Sequence, residues 1–153
     1  MTTLLTILLT SLQSPVDSPA APPIAWSFSA SALEGDLVEV RMDALIDPGW
    51  HIYATVLPRE DGPLPTVVRI TPGADHDIRG GVHEPRPVEE MDLNFGMLVR
   101  HHSGTPRFSV TVVRRTASAF DLQGEVEYMM CNDKTCLPPV AMPFTLTIPA
   151  SSK

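Results

Sequence analysis

Apolar and polar residues alternate one for one along much of the chain, the period of strands that bury a single face. Val38, Val40 and Met42 interleave with Glu39, Arg41 and Asp43, and Leu122, Gly124, Val126, Tyr128 and Met130 with Gln123, Glu125, Glu127 and Met129. The alternation is cleanest from Val140 to Ile148, where Met142, Phe144 and Leu146 fall on the same apolar face. Trp26 and Phe28 mark a first strand ahead of a turn at Gly35-Asp36, and Thr66 to Thr71, Met97 to His102 and Phe108 to Val113 are three more β-rich runs. Asp47-Pro48-Gly49 predicts a tight turn into Trp50-His51-Ile52-Tyr53, with Trp50 and Ile52 on one face and His51 and Tyr53 on the other. Ser103-Gly104-Thr105-Pro106 predicts another turn, whereas residues 72–96, broken early by Gly and Pro and then acidic at Glu89, Glu90 and Asp92, read as a long irregular connection. About seven to nine short strands at this spacing predict an all-β fold, an immunoglobulin-like antiparallel β-sandwich.

Composition narrows the picture in three ways. The 16 prolines and 9 glycines are scattered and leave no long amphipathic helical pattern, which favours the all-β reading. A net charge of -7, with no basic cluster beyond Arg114-Arg115 at what reads as a solvated strand end, argues against a nucleic-acid partner. The opening MTTLLTILLTSL, followed by the Pro-, Ser- and Ala-rich stretch 14–23, has the apolar core and cleavage zone of a secretory signal, although no Lys or Arg precedes it. Residues 1–23 are expected to be a signal peptide and disordered tail, with Ser18-Pro19-Ala20 loosely fitting a cleavage site; 24–149 form the domain and 150–153 a short C-terminal tail. No other segment approaches a membrane span, so the processed chain is expected to be extracytoplasmic with no transmembrane segment.

The chemistry concentrates in YMMCNDKTCLPP, residues 128–139, which hold the two cysteines, Cys131 and Cys136. The polar residues Asn132 to Thr135 between two strand-like runs suit a hairpin loop, which makes the cysteines cross-strand neighbours within disulfide reach. A bridge closing so short a loop contributes only about 2 kcal/mol in the chain-entropy model, and a chain of this length builds a core without a staple. Spacing alone leaves three readings open: a structural disulfide, a redox-active pair, or free or metal-binding thiols. Metal is the poorest fit, because two thiolates need partners from His51, His76, His83, His101 or His102, none at a zinc-finger spacing. His101 and His102, being adjacent on a strand, point to opposite faces and read as solvent or rim residues.

Two motifs together carry a resemblance. Tyr128-x-x-Cys131, a short polar loop and Cys136-Leu137-Pro138-Pro139, with Gly49-Trp50-His51-Ile52-Tyr53 upstream, resemble the N-terminal domain of the thiol:disulfide interchange protein DsbD over about residues 24–149. The resemblance implies an immunoglobulin-like domain outside the cytoplasmic membrane, a component of a protein-disulfide reductase whose cysteine pair reduces thioredoxin-like partners. It also implies that Cys136 forms the mixed disulfide and that Cys131 resolves it, with no cofactor or metal. His51 and Tyr53 match aromatic positions near that family's active site, and Leu137 stands where an aromatic residue can occur. Asp92-Leu93-Asn94-Phe95-Gly96 resembles its cap loop, with Asn94 in place of an aromatic cap residue and Phe95 the nearest apolar candidate. No membrane domain follows within this sequence, so the implied electron donor is a separate membrane or soluble protein. The competing reading is a secreted β-sandwich binding module with a purely structural hairpin disulfide.

Overall fold

The computed structural model describes residues 21–151. The signal-like run and the cleavage zone at 18–20 lie outside the described residues. Strand β1 (Ile24–Ala32) turns back into β2 (Leu37–Ile46), and β8 (Arg107–Arg114) and β5 (His76–His83) extend that sheet in the order β1-β2-β8-β5. A three-stranded sheet runs β11 (Val140–Ile148), β9 (Phe120–Tyr128), β4 (Val67–Ile70). A third has the order β10 (Met130–Cys131), β3 (His51–Tyr53), β7 (Met97–His102), β6 (Val88–Asp92). All of these strand pairs are antiparallel, and the fold is the expected immunoglobulin-like sandwich.

The alternating faces meet in one main core. Val38, Val40 and Met42 of β2, Phe108 and Val112 of β8, and Leu122 and Val126 of β9 are each at most 2% exposed. Met42 lies directly opposite Phe108 in the β2–β8 ladder, and the inner faces of β9 and β11 close over them. Each such side chain contributes about 1.5–3 kcal/mol by leaving water, so this cluster dominates the stability. Asp47-Pro48-Gly49 makes the expected turn: Trp50 N–H donates to Asp47 O at 3.1 Å, and Gly49 has φ 84°, the left-handed conformation that a type II turn needs at its third position.

Three expectations change. Residues 72–96 are not an irregular connection, since they contain β5 and β6. Both are edge strands whose residues are almost all exposed, so neither has a buried face to imprint alternation on the sequence. The strand expected to run through Met130 ends its ladder with β11 at Tyr128, opposite Val140. The chain bends at Met129, and β10 crosses to pair with β3. The turn at Ser103 to Pro106 likewise carries the chain from one sheet to another, its Gly104 and Pro106 carbonyls accepting from the N–H groups of Ile46 and Ala44. Finally, Arg114 is buried rather than solvated, donating to the carbonyls of Thr116, Ser118 and Pro149.

Candidate functional site

The sheet β10-β3-β7-β6 has two faces that do different things. Opposed residues of an antiparallel pair point to the same side, so the register fixes both sets. Met130, Ile52 and His102 are aligned across the strands, and the first two join the main core. The other face carries Cys131 opposite His51, then Tyr53 opposite His101, with Val99 and Met97 following along β7 and Glu90 and Asp92 opposite them on β6. On this face Tyr53, Val99, Met129 and Cys131 form a second, smaller buried cluster, covered by Leu57, Phe95, Met97 and Cys136.

Cys131 and Cys136 are joined in a disulfide with Cα atoms 4.0 Å apart, and they pair as an isolated antiparallel bridge, as the hairpin spacing predicts. The loop between them is built from backbone and Asn132. Asn132 N–H donates to Thr135 O, Leu137 N–H donates to Met130 O, and the Asn132 Oδ1 accepts from the N–H groups of Lys134 and Thr135. The two cysteines are not equivalent. Cys131 is fully buried, whereas Cys136 is partly exposed.

Asp92 organises the neighbouring loop. It is 5% exposed at the end of β6 and accepts three hydrogen bonds: Tyr53 OH at 2.6 Å, Asn94 N–H at 2.8 Å and Phe95 N–H at 3.2 Å. Burial raises the carboxyl pKa, but these donors and His51 outweigh it and hold the group below the usual carboxylate value. Burial, reinforced by the bond to Asp92, keeps the Tyr53 hydroxyl protonated far above its usual range. The four-residue turn Leu93-Asn94-Phe95-Gly96 closes with Gly96 at φ 64° and its N–H on Asp92 O at 2.8 Å. Phe95 sets its ring edge-on to Tyr53 with centroids 6.2 Å apart and packs on the cysteine cluster. Asn94 sends its Nδ2 to Asn132 O at 2.7 Å, a direct bridge from this loop to the cysteine loop.

The structure thus brings His51, Tyr53, Asp92, Asn94 and Phe95 together around the disulfide. Leu137 differs, because its side chain packs against the main core. Sequence reasoning missed His101. It is 7% exposed rather than solvent-facing, its ring lies 4.7 Å from that of His51, and its Nε2 faces Glu90 Oε1 at 2.7 Å. His102 is on the opposite face, as expected, but is buried too, against Phe108 and with its Nε2 2.9 Å from Glu84. The period-two step from Val99 to His101 was readable in the chain; the register that sets His101 beside Tyr53 and His51 was not. His51 and His101 line a cleft of about 210 Å³ together with Glu90, Asp92, Asn94 and Asn132.

Comparison with known proteins bears on the family and the fold. The family described as thiol:disulfide interchange protein DsbD, N-terminal, matches residues 17–148. The chain belongs to the DsbD N-terminal family. Its fold is similar to that of the N-terminal periplasmic domain of ScsB from Proteus mirabilis, with TM-score 0.60 and 16% identity over 88% of this chain. The chain spans 51% of that protein, about half its length. The reduced N-terminal domain of DsbD from Neisseria meningitidis aligns with TM-score 0.52 and 18% identity, over 82% of this chain and 87% of that one. The DsbD N-terminal domain in complex with the PilB N-terminal domain, also from Neisseria meningitidis, aligns with TM-score 0.55 and 17% identity, over 88% and 96%. No curated protein matches the sequence. Family membership and the disulfide fit a thiol-disulfide exchange domain, and among the described residues no helix is long and apolar enough to cross a membrane.

Proposed function

We propose that this chain is an extracytoplasmic thiol-disulfide exchange domain that passes reducing equivalents to thioredoxin-like partner proteins through Cys131 and Cys136. The observation that carries this reading is the unequal exposure of the two cysteines. A reachable Cys136 beside an enclosed Cys131 suits a pair in which one thiol meets the partner and the other acts only afterwards. In the reducing direction the Cys136 thiolate attacks one sulfur of the partner's disulfide, forming a mixed disulfide and expelling the partner's second thiolate. Cys131 then attacks Cys136, closes the intramolecular disulfide and releases the reduced partner, so two electrons pass to the partner.

The loop at Asp92 to Gly96 acts as a cap over the pair. Phe95 covers the cluster around Cys131, Asn94 ties the cap to the cysteine loop, and Leu93, 73% exposed at the tip, offers a docking partner an apolar contact. A periplasmic setting accords with the ScsB relative and with the signal-like run at the start of the sequence.

A Cys131→Ser variant tests the roles. It should trap a mixed disulfide through Cys136 with a thioredoxin-fold protein, detected by non-reducing electrophoresis and mass spectrometry, whereas Cys136→Ser should trap none. A reduction potential below about -300 mV, with no exchange with thioredoxin-like reductants, would instead identify a structural disulfide in a binding module.

A further inference from the structure

We infer that His51 is the base that deprotonates Cys131, so that the resolving step of exchange, rather than the initial attack by Cys136, depends on this imidazole. The inference rests on the redox reading above and assigns a proton path within it. Cys131 and His51 are directly opposed across the β10–β3 ladder and point to the same face. Side chains in such pairs have Cβ atoms about 4.5–5.5 Å apart, so the imidazole and the thiol are neighbours on one face of the sheet. Cys131 needs such a group. It is fully buried, and an apolar enclosure disfavours the thiolate that must attack Cys136.

The neighbours of His51 set its tautomer. The hydroxyl hydrogen of Tyr53 is committed to Asp92 Oδ2 at 2.6 Å, so the Tyr53 oxygen, 3.4 Å from His51 Nε2, can only accept there. Asp92 Oδ2 lies 3.6 Å from the same nitrogen. The proton of the neutral ring therefore sits on Nε2, and Nδ1 carries the free lone pair. Burial first, and then the neighbouring His101, lower the His51 pKa from its usual 6.5, and Asp92 and Glu90 only partly offset them. The ring is neutral, and able to accept a proton, at neutral pH.

The groups facing it come from every adjoining element: Tyr53 on its own strand, Asp92 and Glu90 from β6, His101 from β7, and Asp133 of the cysteine loop, which lines the same cleft. Asp92 then stabilises the imidazolium formed in the step, the role a carboxylate plays behind a histidine paired with a nucleophile. The step balances. The Cys131 S–H proton moves to His51 Nδ1, the thiolate forms the Cys131–Cys136 bond, and the bond from Cys136 to the partner breaks. The partner's sulfur leaves as a thiolate and takes the proton back from the imidazolium. Cys131 and Cys136 are oxidised to the disulfide, and the partner is reduced.

The test uses the reduced protein and glutathione disulfide as probe, with acid quenching and mass spectrometry to follow the glutathione adduct at Cys136 as it forms and decays. His51→Phe and His51→Asn are compared with the unaltered chain, the second keeping a polar group beside Asp92 without a titrating nitrogen. In both variants adduct decay at pH 7 should slow about ten- to a hundredfold relative to adduct formation, at and below the low end of what a positioned base contributes. The acid limb of the decay profile that belongs to His51 should vanish, and added imidazole should restore part of the rate. Decay at the unaltered rate and with the unaltered pH profile in both variants overturns the inference. So does slowing with the profile intact and no imidazole rescue, which marks a packing role. If the reduced protein forms neither a glutathione adduct nor the Cys131–Cys136 disulfide, the redox reading itself fails and this inference fails with it.

Discussion

The two buried clusters of this domain lie on opposite faces of the β10-β3-β7-β6 sheet and differ in almost every physical respect. The main core is aliphatic and aromatic, spans β1, β2, β8, β9 and β11, and holds side chains such as Val40, Met42 and Phe108 with no exposure. The second cluster is a thin cover one sheet face away, in which Cys131 sits beside Tyr53, Val99 and Met129 under a short loop. Around it lie Asp92, His51 and His101, three titratable groups that share one cleft. Ile52 and Tyr53 are adjacent in β3, yet one packs in the core and the other faces the disulfide. A strand can therefore anchor a reactive site through alternate residues while its remaining residues hold the fold. The cover is thin because it is fastened by few bonds, chiefly those to Asp92 and the Asn94 bridge.

The contrast predicts how each cluster fails. Phe108→Ala should remove about 3–5 kcal/mol of unfolding free energy by urea titration, without changing the exchange chemistry of the molecules that remain folded. Reducing Cys131–Cys136 should cost only about 2 kcal/mol, because the loop it closes is short. A loss well above that would move the disulfide into the structural class and blur the division between the clusters.

Acid should strike the site first. The His51 pKa is depressed on folding, so the unfolded chain takes up its proton at a higher pH than the folded one, and stability should begin to fall as pH drops below about 6.5. The Asp92 pKa is also depressed, and its contribution, complete above about 3.8, is lost as pH falls through the lower folded value. His51→Phe should abolish the first decline in thermal melts recorded against pH and leave the second. Asn94→Ala has the smallest effect on stability, about 0.5–1.5 kcal/mol for one hydrogen bond. It should nevertheless speed reduction of the disulfide by dithiothreitol several-fold, since it unties the cap from the cysteine loop. An unchanged reduction rate would remove Asn94 from the cap.

Legibility followed burial. Strands β2, β9 and β11 each bury one face and could be read from their period, as could the opposite faces of His51 and Ile52. Strands β5 and β6 could not, because edge strands with exposed residues carry no hydrophobic rhythm. The site was legible in parts. Tyr53, Asp92 and Phe95 were named from motif resemblance, but His101 was placed at the rim, because nothing local to Val99-Arg100-His101-His102 says that both faces of that strand are covered.

By itself, then, the sequence determined an antiparallel sandwich, a hairpin-borne cysteine pair and the two-faced strand upstream of it. These depend on local turn chemistry and a period of two, which any short stretch of chain expresses. Only the tertiary structure decided that β10 leaves β9 at Met129 to lie against β3, bringing Cys131 opposite His51 and burying one cysteine more than the other. Register between strands distant in sequence is fixed by how faces pack on one another, and it is at that register that the disulfide, the carboxylate of Asp92 and the paired imidazoles come together.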